Sequence, residues 1–198
     1  MYMHLKFMIG ILSFIFCLAC SNTPPSSHYI LTSSKVKALQ GTTQNQMRLG
    51  VGPIKLPGRL DRYQIVTRVG TNVINIHEFD RWGDSLQRQF EERLADNLSQ
   101  LLQTNHVVIY PWERALRPHY QILVQVKKFE GPIEFGTRAI VVWQIIDVTN
   151  ETLKKSGQFV AKVKSKQADM EGYVKSQSKA LIALSKEIAR AVQELETK

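Results

Sequence analysis

The sequence predicts an α/β fold, a mixed β-sheet with two long helices, on three observations. From Trp82 to Leu102, apolar residues (Trp82, Leu86, Phe90, Leu94, Leu98, Leu101 and Leu102) recur every three or four positions, the period of an amphipathic helix. Tyr173 to Leu195 repeats that pattern through Val174, Leu181, Ile182, Ile188 and Val192. Short apolar runs bounded by Gly, Pro and Asn read as strands, and one of them, Arg138 to Val148, is apolar on both faces. A strand of that kind belongs in a central position under helices or at a subunit contact. The 198 residues, 43% hydrophobic and 22% charged, suit one globular domain with an appendage.

The appendage comes first. Lys6, with His4, forms a short positive region, and Phe7 to Leu18 is almost wholly apolar. That run is shorter than the roughly 20 residues a membrane span needs, so it reads as an export signal. Leu18-Ala19-Cys20 then resembles the bacterial lipobox, which implies that residues 1–19 are removed and that Cys20 carries lipid. Cys17 follows bulky Phe16 and is not the modified residue. Ser21, rather than aspartate, after the cysteine implies sorting to the outer membrane in enteric-type bacteria. The alternatives are an ordinary secretory signal with a chance cysteine, or an uncleaved anchor. Residues 20–27 read as the lipidated cysteine and a Ser/Pro tether. Its seven residues after Cys20 span about 25 Å at most, which keeps the domain, residues 28–198, close to the bilayer.

Within the domain, His28 to Leu31 is a short strand candidate and Met47 to Ile54 a second. Gly52 to Arg68 follows, a stretch in which Pro53 and Pro57 stiffen an extended path from Lys55 to Leu60 that cannot be central strand. Ile65 to Val69 and Val73 to Ile76 flank Gly70-Thr71-Asn72 and predict a hairpin. The helix beginning at Trp82 has Asp80 or Asp84 as N-cap and Asn105 as a stop. Strands are expected at Val107 to Tyr110, Tyr120 to Glu130, about Arg138 to Val148, and Gln158 to Lys166, with turns at Gly131-Pro132 and Thr149-Asn150-Glu151. Trp82 and Trp143 are expected in the core, and Trp112, after Pro111, is the aromatic placed in a loop.

The net charge of +9 favours anionic partners: acidic protein, nucleic acid or lipid headgroups. Nucleic acid is unsupported, because no binding motif is present and an exported lipoprotein has little access to it. Lys162, Lys164 and Lys166 fall on one face of a strand, either to meet phosphate headgroups or an acidic partner or to protect a strand edge. No metal or cofactor is expected: both cysteines precede the domain, and His4, His28, His77, His106 and His119 lack ligand spacing. No nucleophile motif, P-loop or dinucleotide fingerprint occurs, so the chain is not read as an enzyme. A lipoprotein enzyme acting on envelope lipid or peptidoglycan would need His77, Glu78 and Asp61 to converge in one pocket. Asp61, beside Arg59 and Arg62, reads as a local ion pair or a loop acceptor. A lipid-binding module with its own cavity is a third reading.

An ordered series of segments carries a resemblance over essentially the whole mature chain. Tyr29-Ile30-Leu31 comes first, then Val51-Gly52-Pro53-Ile54-Lys55-Leu56-Pro57, Leu60-Asp61-Arg62 and Gln64-Ile65-Val66-Thr67-Arg68. Trp82 with Leu86, Leu94-Ala95-Asp96-Asn97-Leu98, Val108-Ile109-Tyr110-Pro111, Phe129-Glu130 and Trp143 follow. The series resembles the PqiC-type ABC transport auxiliary lipoproteins. Gly58-Arg59 and Gly83-Asp84 depart from the family's usual residues. The resemblance implies a fold similar to the N-terminal domain of TolB. It also implies a non-enzymatic outer-membrane lipoprotein facing the periplasm. Its partners would be an MCE-domain tube protein and inner-membrane components that move lipids, with assembly into a homo-oligomer possible for the family. Leu56, Pro57, Leu60, Asp61 and Arg62 are the candidate partner contacts, and Lys162, Lys164 and Lys166 the candidate basic face.

Overall fold

Two mixed sheets and two long helices account for the architecture. The structure, a computed structural model, describes residues 24–33, 35–40 and 47–196. The expected signal peptide and Cys20 lie outside the described residues. The strands are β1 (Ser27–Tyr29), β2 (Leu49–Lys55), β3 (Gln64–Arg68), β4 (Ile74–Trp82), β5 (Val107–Ile109), β6 (Tyr120–Glu130), β7 (Thr137–Asp147) and β8 (Thr152–Val163). The helices are α1 (Leu86–Leu102) and α2 (Met170–Glu196), with a single 3-10 turn at Arg114–Leu116. Strands β1, β4 and β3 form a three-stranded sheet in that order, and the second sheet runs β5-β2-β6-β7-β8. In the larger sheet β2 is parallel to β5 and β6, while β6, β7 and β8 are antiparallel.

Alternation along the large sheet decides where the core lies. Leu49, Val51 and Ile54 of β2, Ile122, Val124 and Val126 of β6, and Val141, Trp143 and Ile145 of β7 are buried. They meet Phe90, Leu94, Leu98 and Leu101 of α1 and Leu181, Leu184, Ile188 and Val192 of α2, all nearly inaccessible. Each such side chain contributes about 1.5–3 kcal/mol on burial. The Trp143 indole donates to Glu187 Oε1 of α2 at 2.8 Å, and Asn97 of α1 donates to Ser185 of α2 at 3.1 Å inside the core. Trp143 also lies flat over Gly157, where any Cβ would sit 2.5 Å from the ring. The helices cover one face only. The opposite face of β7, with Ile140, Val142 and Ile146, is half-buried by neighbouring side chains and carries no helix. Of the two placements expected for a strand apolar on both faces, cover by helices on both sides is not what the described residues show.

Other expectations are corrected in register. Trp82 is the last residue of β4, not the start of a helix, and is buried there. Helix α1 begins after Ser85, whose hydroxyl accepts the Arg88 N–H at 3.2 Å; Asp84 stands outside the cap and accepts the Ser85 N–H. The helix ends at Gln103 in a left-handed conformation, two residues before Asn105. Strand β4 extends six residues past Ile76, and β8 starts at Thr152 and stops at Val163. Pro53 does fall inside a strand flanked on both sides. It sits in the bulge between Val51 and Ile54, beyond the last residue paired to β5, where no ladder N–H is required. Trp112 folds back over the sheet, edge-on to Tyr110, with its ring covering Gly50.

Candidate functional site

The proline-stiffened stretch earns its place through a carboxylate far away in sequence. Glu130, at the end of β6, has a side chain with no solvent exposure. Its Oε1 accepts from Arg59 Nε at 3.0 Å and Arg68 Nε at 3.2 Å, and its Oε2 accepts the Phe129 N–H at 2.9 Å. The guanidiniums are held in turn: Arg59 donates to the Lys127 carbonyl and Arg68 to the Thr71 carbonyl. Burial first, then the charge of Arg68, hold the Lys128 ammonium below its usual value. Tyr173 of α2 completes the junction between the sheets. Its hydroxyl donates to the Val66 carbonyl at 3.0 Å and accepts the Gly131 N–H at 3.3 Å, and burial pushes its pKa up. Glu130 and Tyr173 are closed to solvent, Arg59 and Arg68 are partly exposed, and together they hold the elements in place. Arg59 pairs with Glu130 and not with its neighbour Asp61.

The candidate partner contacts surround that clamp. Leu60 is 3% exposed and belongs to the core, in a turn closed by its N–H to the Pro57 carbonyl. Leu56, Pro57 and Arg62 are half-buried, and Asp61 is exposed. The carboxylates and histidine required for an enzyme do not converge. Glu78 is exposed and accepts from Gln64, Asp61 lies in the turn after β2, and His77 is engaged elsewhere. His77 Nε2 lies 2.9 Å from Thr67 Oγ1 and its Nδ1 3.8 Å from Asp80. That order of groups has the outline of a nucleophilic relay, but Thr67 is 3% exposed and has no room for a substrate bond. Among the described residues no group of three potential ligands is placed to hold a metal ion.

Lys162, Lys164 and Lys166 are exposed, but only Lys162 belongs to β8. Lys164 and Lys166 follow the strand and line a cavity of about 320 Å³ with Gln167, Gly172 and two lysines of α2, Lys175 and Lys179. The sequence placed the first three lysines on one face; the helical pair joins them only through the fold. At the other end of β7 and α2, a cavity of about 1070 Å³ is lined by Arg48, His119, Asp147, Asn150 and Glu196 among others. Asp147 there accepts the Asn150 N–H and side-chain amide and the Thr149 N–H, each at 3.0 Å, which lowers its pKa to about 2. The helix-free face of the large sheet presents Gln121, Leu123, Gln125, Ile140, Val142 and Gln144, with the charged Arg138 and Lys162 at one end.

No described helix is long and apolar enough to cross a membrane. The family model described as ABC-type transport auxiliary lipoprotein component matches residues 29–189. The structure is similar to the crystal structure of protein XCC0632 from Xanthomonas campestris. The TM-score is 0.74 at 14% identity, over 87% of this chain and 100% of the other. A second crystal structure, described as an uncharacterized protein, aligns with a TM-score of 0.68 and 20% identity over 85% of this chain and 99% of its own. At these identities the likeness establishes the α/β fold. No curated protein matches the chain.

Proposed function

The chain belongs to the family of ABC-type transport auxiliary lipoprotein components, and from that premise we propose that it is a non-enzymatic docking subunit of an inter-membrane lipid transporter. Cys20 carries the lipid, the outer membrane holds it, and the domain faces the periplasm. Its partners are an MCE-domain tube protein and the inner-membrane components of the transporter. The family match over residues 29–189 carries this reading. The Leu18-Ala19-Cys20 sequence and the short tether support the anchor. The dispersal of His77, Glu78 and Asp61 weighs against the enzymatic alternative.

The test is crosslinking in intact cells followed by purification from membranes. An MCE-type protein and its inner-membrane partners should be recovered with the wild-type chain. Cys20→Ala should leave the membrane fraction and fail to incorporate labelled palmitate. Recovery of the wild-type chain with no transporter component, under crosslinking that captures known envelope complexes, would sink the docking role. Palmitate labelling of Cys20→Ala would sink the anchor.

A further inference from the structure

The cluster of lysines at the start of α2 has too little counter-charge of its own. Lys164, Lys166 and Lys179 make no ion pair among the described residues, and Lys175 pairs with Glu171 at 2.5 Å. Asp169 is occupied as the helix cap, accepting the Gly172 N–H at 2.7 Å. Arg138 and Lys162, directly opposite each other across β7 and β8 and both exposed, lie on the sheet face away from α2 and are not part of this cluster. Protection of a strand edge does not explain it. Strand β8 ends at Val163, so Lys164 and Lys166 guard no edge, and Lys175 and Lys179 are on a helix.

The exit of the tether supplies a second, independent observation. Thr32 N donates to Ser178 Oγ, in the third turn of α2. Going back towards the N-terminus, Leu31 N donates to Gln89 in the first turn of α1, and the Tyr29 carbonyl accepts the Gly83 N–H, just before that helix begins. The path from Thr32 to Tyr29, about 10 Å of extended chain, therefore runs back towards the N-terminal ends of α1 and α2, which pack side by side. Ser27 and the exposed residues before it leave the domain at the N-terminal end of α2. That is the lysine end. A tether reaching about 25 Å from there brings this end nearest the bilayer, while the far end of a 27-residue helix is about 40 Å away.

The geometry points to a membrane-docking face: Lys164, Lys166, Lys175 and Lys179 seat on the phosphates of anionic phospholipid headgroups in the leaflet that holds the Cys20 lipid. The proposal rests on the anchor reading above. It adds an orientation, with the N-terminal end of α2 against the membrane and the β7–β8 turn away from it.

The mature chain keeps Cys20 as its sole cysteine, and that one is lipidated, so a thiol introduced at Ala168 or Asn150 can be labelled alone. Each labelled lipoprotein is reconstituted into phosphatidylcholine vesicles with or without about one-third phosphatidylglycerol and with nitroxide-headgroup lipid as quencher. The label at Ala168→Cys should be strongly quenched with phosphatidylglycerol and the label at Asn150→Cys weakly. Replacing Lys164, Lys166 and Lys179 by Gln should lower the docked-to-free ratio roughly fivefold per lysine, on the order of 100-fold together. An unchanged urea midpoint shows that the triple variant is folded. Equal quenching at both positions, or quenching at Ala168→Cys that survives the triple substitution, overturns the docking face and leaves the lysines to an acidic protein. Release by inorganic phosphate at constant ionic strength assigns them to a free anion and overturns it too. Flotation with the vesicles reports the anchor separately. A chain that does not float overturns the anchor and the proposal with it, whereas one that floats with equal quenching overturns the orientation alone.

Discussion

Glu130→Gln is the substitution that most directly tests what holds the two sheets together. The glutamine keeps the size of the side chain and an oxygen for the Phe129 N–H, so the change is in charge. Breaking a buried ion pair from one side costs about 3–5 kcal/mol when the abandoned charge stays buried. Here the abandoned charges are Arg59 and Arg68, whose side chains are 32% and 19% exposed and so recover part of their hydration. After that discount the expected loss is about 2–3 kcal/mol. Removing one cation is milder, because the other still faces the carboxylate: Arg59→Met or Arg68→Met should each cost about 1–2 kcal/mol. Removing both strands a carboxylate with no solvent exposure. The double variant should therefore lose more than the two single losses added together. Urea unfolding followed by tryptophan emission reads this well, since Trp82 and Trp143 are 3% and 4% exposed in the folded chain. The midpoint should fall with the slope unchanged. A Glu130→Gln protein within about half a kcal/mol of wild type, or strictly additive arginine losses, would refute the clamp as a stabilising unit.

Three further outcomes follow from the same structure. Tyr173→Phe leaves the buried Val66 carbonyl and Gly131 N–H without their partner, and should cost about 1–3 kcal/mol in urea unfolding, with faster hydrogen exchange at Gly131. Gly136 has φ +90° and stands where a Cβ would come within 2.3 Å of the Val163 carbonyl oxygen, so Gly136→Ala should lower stability by at least about 1–3 kcal/mol, read as a drop in Tm. The Asp147 carboxyl is lowered from 3.8 to about 2, first by the Asn150 backbone and side-chain hydrogen bonds. A depressed carboxyl contributes stability that is complete above its unfolded value and lost as the pH falls through its folded one. Unfolding midpoints of wild type should therefore decline more steeply between pH 3.8 and about 2 than those of Asp147→Asn.

Much of the fold was legible because it is locally encoded. The 3.6-residue period of α1 and α2 and the punctuation of β6 and β7 by Gly131-Pro132 and Thr149-Asn150-Glu151 are statements about neighbours in sequence. The misplaced start of α1 has a local cause as well. Trp82 stands four positions before Leu86, the spacing of a helical stripe, although it packs into the core from the end of a strand. The first half of β8, Thr152 to Gly157, has too little apolar alternation to announce itself and is a strand because β7 pairs with it throughout. The clamp was invisible for another reason. Arg59 and Glu130 are 71 positions apart, and no periodicity links a charge in a turn to one at a strand end. The lysines were half visible: a period of two marks Lys162, Lys164 and Lys166, but only the packing of α2 against the end of β8 adds Lys175 and Lys179.

The sheet topology turns these separate features into one arrangement. Strands β2, β6 and β8 all run towards the same end of the large sheet, since β2 and β6 are parallel and β7 is antiparallel to both β6 and β8. That end therefore holds the turn Leu56 to Arg62, the Glu130 clamp that fixes it, the lysines after β8 and the start of α2. The chain towards Cys20 leaves from the same place. The exposed side of the turn, with Asp61 exposed and Leu56 and Pro57 half-buried, therefore lies at the same end of the sheet as the positive surface. Leu60 is buried and Arg59, partly exposed, is tied to Glu130; both hold the turn in place. The Arg59–Glu130–Arg68 unit then works through stiffness: one buried carboxylate, gripped from two sides, fixes the turn after β2 against the end of β6 and the start of the loop after β3.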